Sequence, residues 1–277
     1  MGLLVIFILK AQGSFGCELV IGSHSVDRGK EDMLSLRDVL AEEESIWQVV
    51  YSHQDLFAGK WRAYWHLPFP TIPHWNAVYP RDLSVQPTQA ELTEFRRLYA
   101  EKGATGHIIN PQGLPGEFTV SQDEYFFLKQ AVPVKPSAVD GKAKDFVIKE
   151  TTDLELFARA VQIGFALPEN FYSDFKEQMQ KIKNNTPSSF LVAECDGNIC
   201  GTISTFRTRS GYDFIMNLAV FPDYRKQGIA GALVSTVLHK CPKGTLVHTN
   251  SMELRKKLFP KLGFHSIGSV TYSPLVP

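Results

Sequence analysis

The sequence has no excess of charge of either sign, because 29 Lys and Arg residues balance 29 Asp and Glu residues. A protein that binds nucleic acid through a broad positive field needs a basic excess, so this chain is not expected to bind nucleic acid. Any anion site must therefore be local. The length of 277 residues and the 44% hydrophobic content are typical of a globular protein with one large or two smaller domains.

Cysteine is scarce as well. Cys17, Cys195, Cys200 and Cys241 are too few and too scattered for a disulfide framework, so we expect reduced thiols. Cys195 and Cys200 flank a hairpin turn, "DGNI", and a disulfide between them is the minor alternative. No CxxC pair or spaced histidine accompanies them, so no metal site is predicted. Together these features indicate a cytoplasmic protein.

Long apolar runs are missing too. The stretch "GLLVIFIL" at residues 2–9 is far shorter than the roughly 20 residues of a membrane span. No Lys or Arg precedes it and no A-x-A-like cleavage site follows it. A buried strand, an appended segment before Met33, and a signal or anchor all remain open. We treat residues 1–32 as a leader or appended segment and expect no membrane partner.

A domain boundary is predicted in "AVPVKPSAVDGKAK", residues 131–144, because two prolines, a glycine and the lack of an amphipathic period favour a linker. The predicted domains are residues 33–140 and residues 141–277. Both are expected to mix helices and strands, which gives a mixed α/β (α+β) fold class. The Trp-rich segment at residues 60–80 is either a ligand groove or irregular chain packed on a core.

Three elements are predicted in the N-terminal domain. Thr88 and Glu91 have capping-box spacing and start a helix over residues 89–102, which Gly103 ends. A strand is predicted at residues 105–110. Ser121 and Glu124 have the same capping spacing and predict a second short helix.

The C-terminal domain has clearer patterns. They predict a strand at residues 145–150, a helix capped by Thr152 and Glu155, and a second helix over residues 169–183. A hairpin and a further strand, "YDFIMNLAV", follow. A helix from Gly228, a short strand, a helix capped by Asn250 and Glu253, and a closing strand complete the order β-α-α-β-β-β-α-β-α-β.

The turn between "NLAV" and the helix from Gly228 is a candidate anion site. A strand that feeds directly into a helix aims the unpaired N–H groups of the first helical turn at one point. Gly228 permits close backbone approach, while Ala230 and Gly231 keep the next positions small. Arg225, Lys226 and Gln227 add donors at the rim. Neither G-x-x-x-x-G-K-[ST] nor G-x-G-x-x-G occurs.

"NLAVFPDYRKQGIAGALV" resembles the acyl-CoA signature of the GNAT acetyltransferase superfamily, R-x-x-G-x-A after a strand that ends in L-x-V. "NSMELRKKLFPKLGF" is similar to the second family segment, with Asn250, Leu258, Gly263 and Phe264 matching. The resemblance covers about residues 145–272. It implies a central, mostly antiparallel sheet flanked by helices. The predicted helix, strand and short helix of the N-terminal α/β domain repeat the order of the family's latter part, which favours a diverged GNAT-like lobe, although that domain has no R-x-x-G-x-A counterpart.

The resemblance implies an N-acetyltransferase that moves an acetyl group from acetyl-CoA to a primary amine, with no metal. Backbone N–H groups of Gln227 to Gly231 would hold the pyrophosphate, and the Val220 N–H would donate to the developing oxyanion. The residues implied in acetyl-CoA binding are Leu218, Ala219, Val220, Arg225, Lys226, Gln227, Gly228, Ile229, Ala230, Gly231 and Asn250.

The catalytic base is not specified by a motif. Candidates are Glu194, Asp213 and Asn217, the last as a water-holding amide, while Tyr172 is a weaker candidate facing the acceptor. His239 and His248 are interpreted as helix-end and strand residues. Residues 255–257 are interpreted as a solvated basic helix face, and contact with the CoA 3′-phosphate is the alternative.

Phe259 stands where the family often has a tyrosine that acts as general acid. A non-catalytic acyl-CoA-binding or regulatory protein with a partner-binding N-terminal domain therefore remains the alternative.

Overall fold

This computed structural model describes residues 34–111, 121–129, 145–238 and 243–275. The expectations for residues 1–32, for the linker, and for Cys17, Cys241 and His239 lie outside these residues. The helices are α1 (Leu36–Val50), α2 (Gln89–Lys102), α3 (Leu154–Gly164), α4 (Phe171–Asn185), α5 (Ile229–Leu238) and α6 (Phe259–Lys261). A 3-10 turn at Pro73–Trp75 and a π-helical segment at Leu254–Leu258, directly before α6, complete the helical elements that we use below.

Eleven strands form one sheet in the order β1-β2-β3-β4-β11-β5-β10-β9-β8-β7-β6. They are β1 (Ser52–Leu56), β2 (Trp61–Trp65), β3 (Ala77–Pro80), β4 (His107–Asn110), β5 (Ser121–Leu128), β6 (Phe146–Glu150), β7 (Ser188–Cys195), β8 (Asn198–Arg207), β9 (Asp213–Val220), β10 (Thr245–Thr249) and β11 (His265–Pro274). Only β3/β4 and β9/β10 pair in parallel, while the other neighbours are antiparallel. The predicted mixed fold class with a mostly antiparallel sheet is confirmed.

The strands of both predicted domains join this one sheet. β5 lies between β10 and β11, and β11 in turn pairs with β4, so each half contributes a strand that inserts beside strands of the other half. The two parallel pairs are each built as strand, helix, strand, with α2 between β3 and β4 and α5 between β9 and β10. The division into two domains stays a prediction.

Apolar residues cover both faces of the sheet. One cluster joins α1, α3 and α4 to one face and includes Phe157, Phe214 and Leu246. The opposite face is covered in the C-terminal half by α5, through Leu233 and its neighbours. A third cluster packs α2 on the N-terminal strands. In the Trp-rich segment, Trp61 is fully buried, which favours core packing for that tryptophan.

Local signals explain several boundaries. Thr88 and Glu91 form the predicted capping box of α2, and Gly103 ends that helix with φ of 69°. In the hairpin β7–β8, Asp196 and Gly197 both have positive φ, which is the backbone that a two-residue turn requires. Cys195 and Cys200 are both buried free thiols, so no disulfide joins them.

Three sequence expectations are wrong. Residues 121–128 form β5 and not a capped helix. Asp153, not Thr152, caps α3, because its carboxylate accepts hydrogen bonds from two backbone N–H groups of the first turn. Near α6, the Ser251 hydroxyl accepts the Leu254 N–H at 3.4 Å, so Ser251 rather than Asn250 occupies the capping position.

Candidate functional site

The pairing of β9 with β10 ends partway along β9, and we call the open edge of β9 beyond that point the cleft. The two strands pair in parallel only over three residues each, ending at Ile215 on β9 and Val247 on β10. β9 nevertheless continues to Val220. Carboxyl ends of parallel strands that separate in this way leave backbone donors and acceptors free to bind a ligand. The edge of β9 from Leu218 to Val220 thus lies where the cleft opens.

A β-bulge on β9 accompanies this divergence. The pairing with β8 shifts register between Thr202 and Ser204, and Asn217 adopts φ of 55°. Thr202 Oγ1 donates to the Asn217 carbonyl at 2.9 Å, and Ser204 Oγ donates to the Met216 carbonyl at 3.2 Å. Asparagine tolerates this left-handed backbone better than most residues, and a bulge re-aims the strand beyond it.

The Asn217 side chain lies on the face covered by α4. Its Nδ2 donates to Ser204 Oγ at 2.8 Å and lies 4.0 Å from Met179 Sδ. Half-buried Met216 packs against the core of the same face. Two consecutive side chains on one face are what a bulge produces. A polar amide is thereby placed beside the cleft on the face of α4.

The Val220 amide points toward the cleft. The next residue, Phe221, donates its N–H to the Cys200 carbonyl of β8 at 2.9 Å. Successive amides of a strand point to opposite sides, so the Val220 N–H faces away from β8 and toward the diverging β10. The Val220 carbonyl accepts a hydrogen bond from Arg225 Nε at 3.1 Å. The predicted oxyanion donor therefore has a suitable orientation, and its catalytic role stays a prediction.

The turn after β9 leads directly into α5. Lys226 and Gly228 have φ of 62° and 82°, so two residues of this short turn adopt left-handed backbone conformations. The first helical hydrogen bond runs from the Ala232 N–H to the Gly228 carbonyl at 3.0 Å. The N–H groups of residues 229–231 therefore have no hydrogen-bond acceptor within the helix. They form an anion-binding helix N-terminus with only small side chains at residues 230 and 231.

Side chains at the rim of this turn contact its own backbone. Gln227 Nε2 donates to the Asp223 carbonyl at 3.2 Å, and Arg225 Nε is bound to Val220 as described. These contacts fix the turn. Asn250, which is exposed, follows β10 at the far side of the cleft.

The two predicted carboxylate bases lie apart from the cleft. Glu194 is on β7, two strands from β9, and forms an ion pair with Lys149 on the edge strand β6. Asp213 starts β9 at the end where β10 is still paired, and Arg207 binds both its carboxylate oxygens. Neither carboxylate is brought next to Asn217 or Val220, so the arrangement gives both a structural contact. Their catalytic roles stay predictions.

Other candidates have defined partners. The guanidinium of Arg159 stacks on the Tyr172 ring at 3.9 Å, on α3 and α4. Arg255 pairs with Glu124 of β5 and is not a purely solvated residue. Phe259 is 1% exposed and packs between Phe126 and Phe264, with centroids 5.4 and 5.3 Å away. The position therefore supplies no hydroxyl and belongs to the core.

A buried polar cluster beside the cleft was not predicted. His248 follows the last residue of β10 that pairs with β9, and its ring lies 5.7 Å from that of Phe214. His248 Nδ1 lies 2.7 Å from Asp123 Oδ2, and Nε2 lies 3.4 Å from Glu43 Oε1. Glu43 is fully buried and Asp123 is 1% exposed. A histidine thus lies between two buried carboxylates on the face that also carries Asn217.

The charged groups of this cluster shift each other's pKa values. Burial alone lowers the pKa of His248, but the carboxylates of Glu43 and Asp123 outweigh it and raise the pKa to about 9. Burial raises the pKa of Asp123, yet the two neighbouring histidines, His74 and His248, lower it to about 2. One sequence signal could have indicated the burial of His248. It lies two positions after the apolar Leu246, so both side chains share one face of β10. Asp123 was hidden by the wrong helix prediction for residues 121–128.

Among the residues that the structure describes, no helix is both long enough and apolar enough to cross a membrane.

Comparisons with known proteins agree with this geometry. A family model described as acetyltransferase (GNAT) domain matches residues 186–266, which include β9, the turn and α5. An acetyltransferase of Pectobacterium atrosepticum is 30% identical over 109 residues, which cover 36% of this chain and 74% of that relative.

Two solved structures share the fold over most of the chain. A GCN5-related N-acetyltransferase from Kribbella flavida superposes with a TM-score of 0.60 at 15% identity, covering 87% of this chain and 96% of its own. A tandem GNAT protein from the clavulanic acid biosynthesis pathway gives a TM-score of 0.53 at 14% identity and covers 78% of this chain and 79% of its own. The fold likeness therefore extends beyond the C-terminal half.

Proposed function

Because the chain belongs to the GNAT acetyltransferase superfamily, we propose that it is an acetyl-CoA-dependent N-acetyltransferase acting on a primary amine. The observation that carries this proposal is the divergence of β9 from β10 directly before the glycine turn and the start of α5. These features give a cleft between two strands, and an anion-binding helix N-terminus follows the end of β9.

The backbone of the turn supports a diphosphate site. Gly228 has φ of 82°, a conformation that L side chains rarely adopt, and a Cβ at Gly231 would meet only ordinary van der Waals contact with Leu258 at 3.8 Å. The N–H groups of residues 227–231 would bind the pyrophosphate oxygens, with Lys226 and Asn250 near them. Leu218, Ala219 and Val220 would pair with the amides of the pantetheine arm as an added strand would.

The reaction that this site would perform is a direct transfer. The neutral amine nitrogen attacks the thioester carbonyl carbon, and the Val220 N–H donates to the oxygen as negative charge develops. The carbon–sulfur bond then breaks and the electron pair leaves with the CoA thiolate. The amine proton passes to a water held by the Asn217 amide, because Glu194 and Asp213 lie apart from the cleft and form ion pairs there.

Binding is tested by the substitution Gly228→Glu. The new carboxylate would stand where the pyrophosphate binds, and we expect calorimetry to show at least about a 100-fold loss of acetyl-CoA affinity, which corresponds to the loss of about two charge-assisted hydrogen bonds. Gly197→Glu is the matched control, since Gly197 has φ of 76° in the β7–β8 turn and open space around its Cα. Unchanged affinity in Gly228→Glu would place the diphosphate elsewhere.

A second function remains in competition, namely acyl-CoA binding without catalysis. It is favoured by buried Phe259, which has no hydroxyl, and by the ion pairs of Glu194 and Asp213. Release of CoA thiol, measured against a panel of amines, peptides and polyamines, separates the two functions. Turnover with any amine supports the transferase, whereas tight binding without turnover on the whole panel supports the second function.

We also propose that the N-terminal domain, about residues 33–140, is a diverged GNAT-like lobe. Its β3–α2–β4 unit repeats the strand–helix–strand order of β9–α5–β10, including the parallel pairing. It has no R-x-x-G-x-A turn and is not expected to bind a second acetyl-CoA.

A further inference from the structure

Three side chains from distant parts of the sequence meet in the polar cluster beside the cleft. They are His74 in the 3-10 turn Pro73–Trp75, Asp123 on β5 and His248 on β10. Their nearest ligand atoms all lie within 4.8 Å of one another. Asp123 Oδ2 is 3.6 Å from His74 Nδ1 and 2.7 Å from His248 Nδ1. Two imidazoles and one carboxylate thus surround a single point.

We propose that His74, Asp123 and His248 form a binding site for a divalent transition-metal ion of the zinc type. Two imidazole nitrogens and a carboxylate oxygen are ligands that zinc prefers, and three protein ligands leave a fourth position for water. In a tetrahedral zinc site, bond lengths of about 2.0 Å put ligand atoms about 3.3 Å apart. The two distances to Asp123, 3.6 and 2.7 Å, lie on either side of this spacing, and all three ligand atoms lie within 4.8 Å of one another, so a modest contraction of the cluster around an ion would give this geometry.

His74 supports this assignment through an unpaired atom. Its Nδ1 is buried and has no hydrogen-bond partner, although the Asp123 carboxylate lies nearby at 3.6 Å. A buried nitrogen without a partner is costly unless an ion or water occupies the space beside it. A metal ion between His74 and Asp123 would bind both atoms.

Glu43 supplies the second independent observation. It is fully buried, and its Oε1 has no hydrogen-bond partner although it lies 3.4 Å from His248 Nε2. If His248 binds a metal through Nδ1, its Nε2 carries the proton and points it at Glu43 Oε1. A carboxylate that accepts from the second nitrogen of a ligating histidine is the usual outer contact of zinc sites.

The outer contacts continue beyond Glu43. Tyr125 donates its hydroxyl to Glu43 Oε2 at 2.7 Å, and Ser121 donates to Asp123 Oδ1 at 3.2 Å. Both carboxylates are therefore held in place by the protein. The His74 and His248 side chains keep 24% and 17% of their surface exposed, so the cluster lies close to the protein surface.

The alternative to a bound metal ion is a protonated His248. A protonated His248 would donate to Asp123 and to Glu43 and would balance one of their two charges. It would leave His74 Nδ1 without a partner. The proposal differs from the sequence expectation of no metal site, which considered only the cysteines and could not foresee that β5 and β10 are neighbours.

Metal content of the full chain tests the proposal without reference to activity. Protein purified without a histidine tag is stripped with chelator, loaded with Zn²⁺, washed and analysed by mass spectrometry, and Co²⁺ loading is followed by its visible absorption. We expect one Zn²⁺ per chain and a tetrahedral Co²⁺ spectrum without a thiolate charge-transfer band. Chains that retain no stoichiometric metal after washing would overturn the proposal and leave the proton as the occupant.

The informative variant is His74→Gln, because His74 Nδ1 makes no hydrogen bond in the fold. We expect it to lower Zn²⁺ affinity by at least about 100-fold, since it removes a direct ligand. His66→Gln is the matched control, because His66 is also a largely buried histidine that pairs with a carboxylate, Asp174, at 2.6 Å, and it is not one of the three proposed ligands. Equal Zn²⁺ affinity of His74→Gln and the unmodified chain would refute the assignment, whereas loss in both variants would show binding outside this cluster and refute it as well.

Discussion

The substitution Glu91→Gln tests how strongly one buried carboxylate holds the N-terminal half together. Glu91 is 6% exposed and lies in the first turn of α2. One of its oxygens accepts from Lys60 Nζ at 2.7 Å and from Trp61 Nε1 at 3.0 Å. The other accepts from the Thr88 N–H at 2.7 Å and from the Thr88 hydroxyl at 3.0 Å. Four donors thus converge on one charge that links α2 to β2.

Burial raises the pKa of Glu91, but the hydrogen bonds from Lys60, from the Thr88 backbone and from Trp61 outweigh it and lower the pKa to about 2. A carboxyl whose pKa is lower in the folded state stabilises the fold above its unfolded pKa. The difference from the ordinary value of 4.5 corresponds to about 3 kcal/mol at neutral pH. This contribution falls between about pH 4.5 and pH 2, and about 1.4 kcal/mol remains at pH 3.

Urea unfolding of the unmodified chain and of Glu91→Gln, at pH 7 and at pH 3, measures the effect. We expect the difference in the free energy of unfolding to shrink by more than half at pH 3, because the Glu91 carboxyl of the unfolded chain is then protonated, while in the folded state it is still mostly ionised. Glu94→Gln is the control on the same helix, since Glu94 makes only an exposed ion pair with Arg97, and its effect should be small. A Glu91→Gln difference that is the same at both pH values would refute the charge argument.

Two further substitutions address the cleft. Asn217→Ala should be about 1 kcal/mol less stable than Asn217→Gly in urea unfolding, because glycine adopts the left-handed backbone of the bulge without strain. Equal stability of the two variants would show that the bulge relaxes. Phe259→Tyr should lower the free energy of unfolding by about 1–3 kcal/mol without raising turnover, because the new tyrosine hydroxyl would be buried among aromatic rings. A faster enzyme of unchanged stability would show that the edge of this ring reaches the cleft.

Local patterns predicted the elements whose causes are local. The capping box of α2, the hairpin turn at residues 196–197 and the order of elements in the C-terminal half are all confirmed. β5 was misread because Ser121 and Glu124 imitate a capping box, and a short apolar run such as "YFFL" does not distinguish strand from helix. Its strand conformation comes from pairing with β10 and β11. The helix α1 was not predicted.

The candidate site also has a part that local sequence predicted and a part that it could not predict. The edge of β9 and the turn into α5 lie within one continuous stretch, so the sequence could suggest them. The cluster of Glu43, His74, Asp123 and His248 is assembled from α1, a 3-10 turn, β5 and β10, and no motif links these segments. Only the neighbouring positions of β5 and β10 in the sheet bring them together.

The exchange of strands between the halves has a consequence for the growing polypeptide. Asp123 and His248, in adjacent strands, are separated by 125 positions, and Asn110 and Thr271, also in adjacent strands, by 161. During translation β4 and β5 leave the ribosome long before β10 and β11 exist, so their hydrogen-bonding edges must wait unpaired. Such distant pairings slow folding and expose edges that associate with other chains. The nascent N-terminal half therefore depends on strands synthesised more than 100 positions later to complete its sheet.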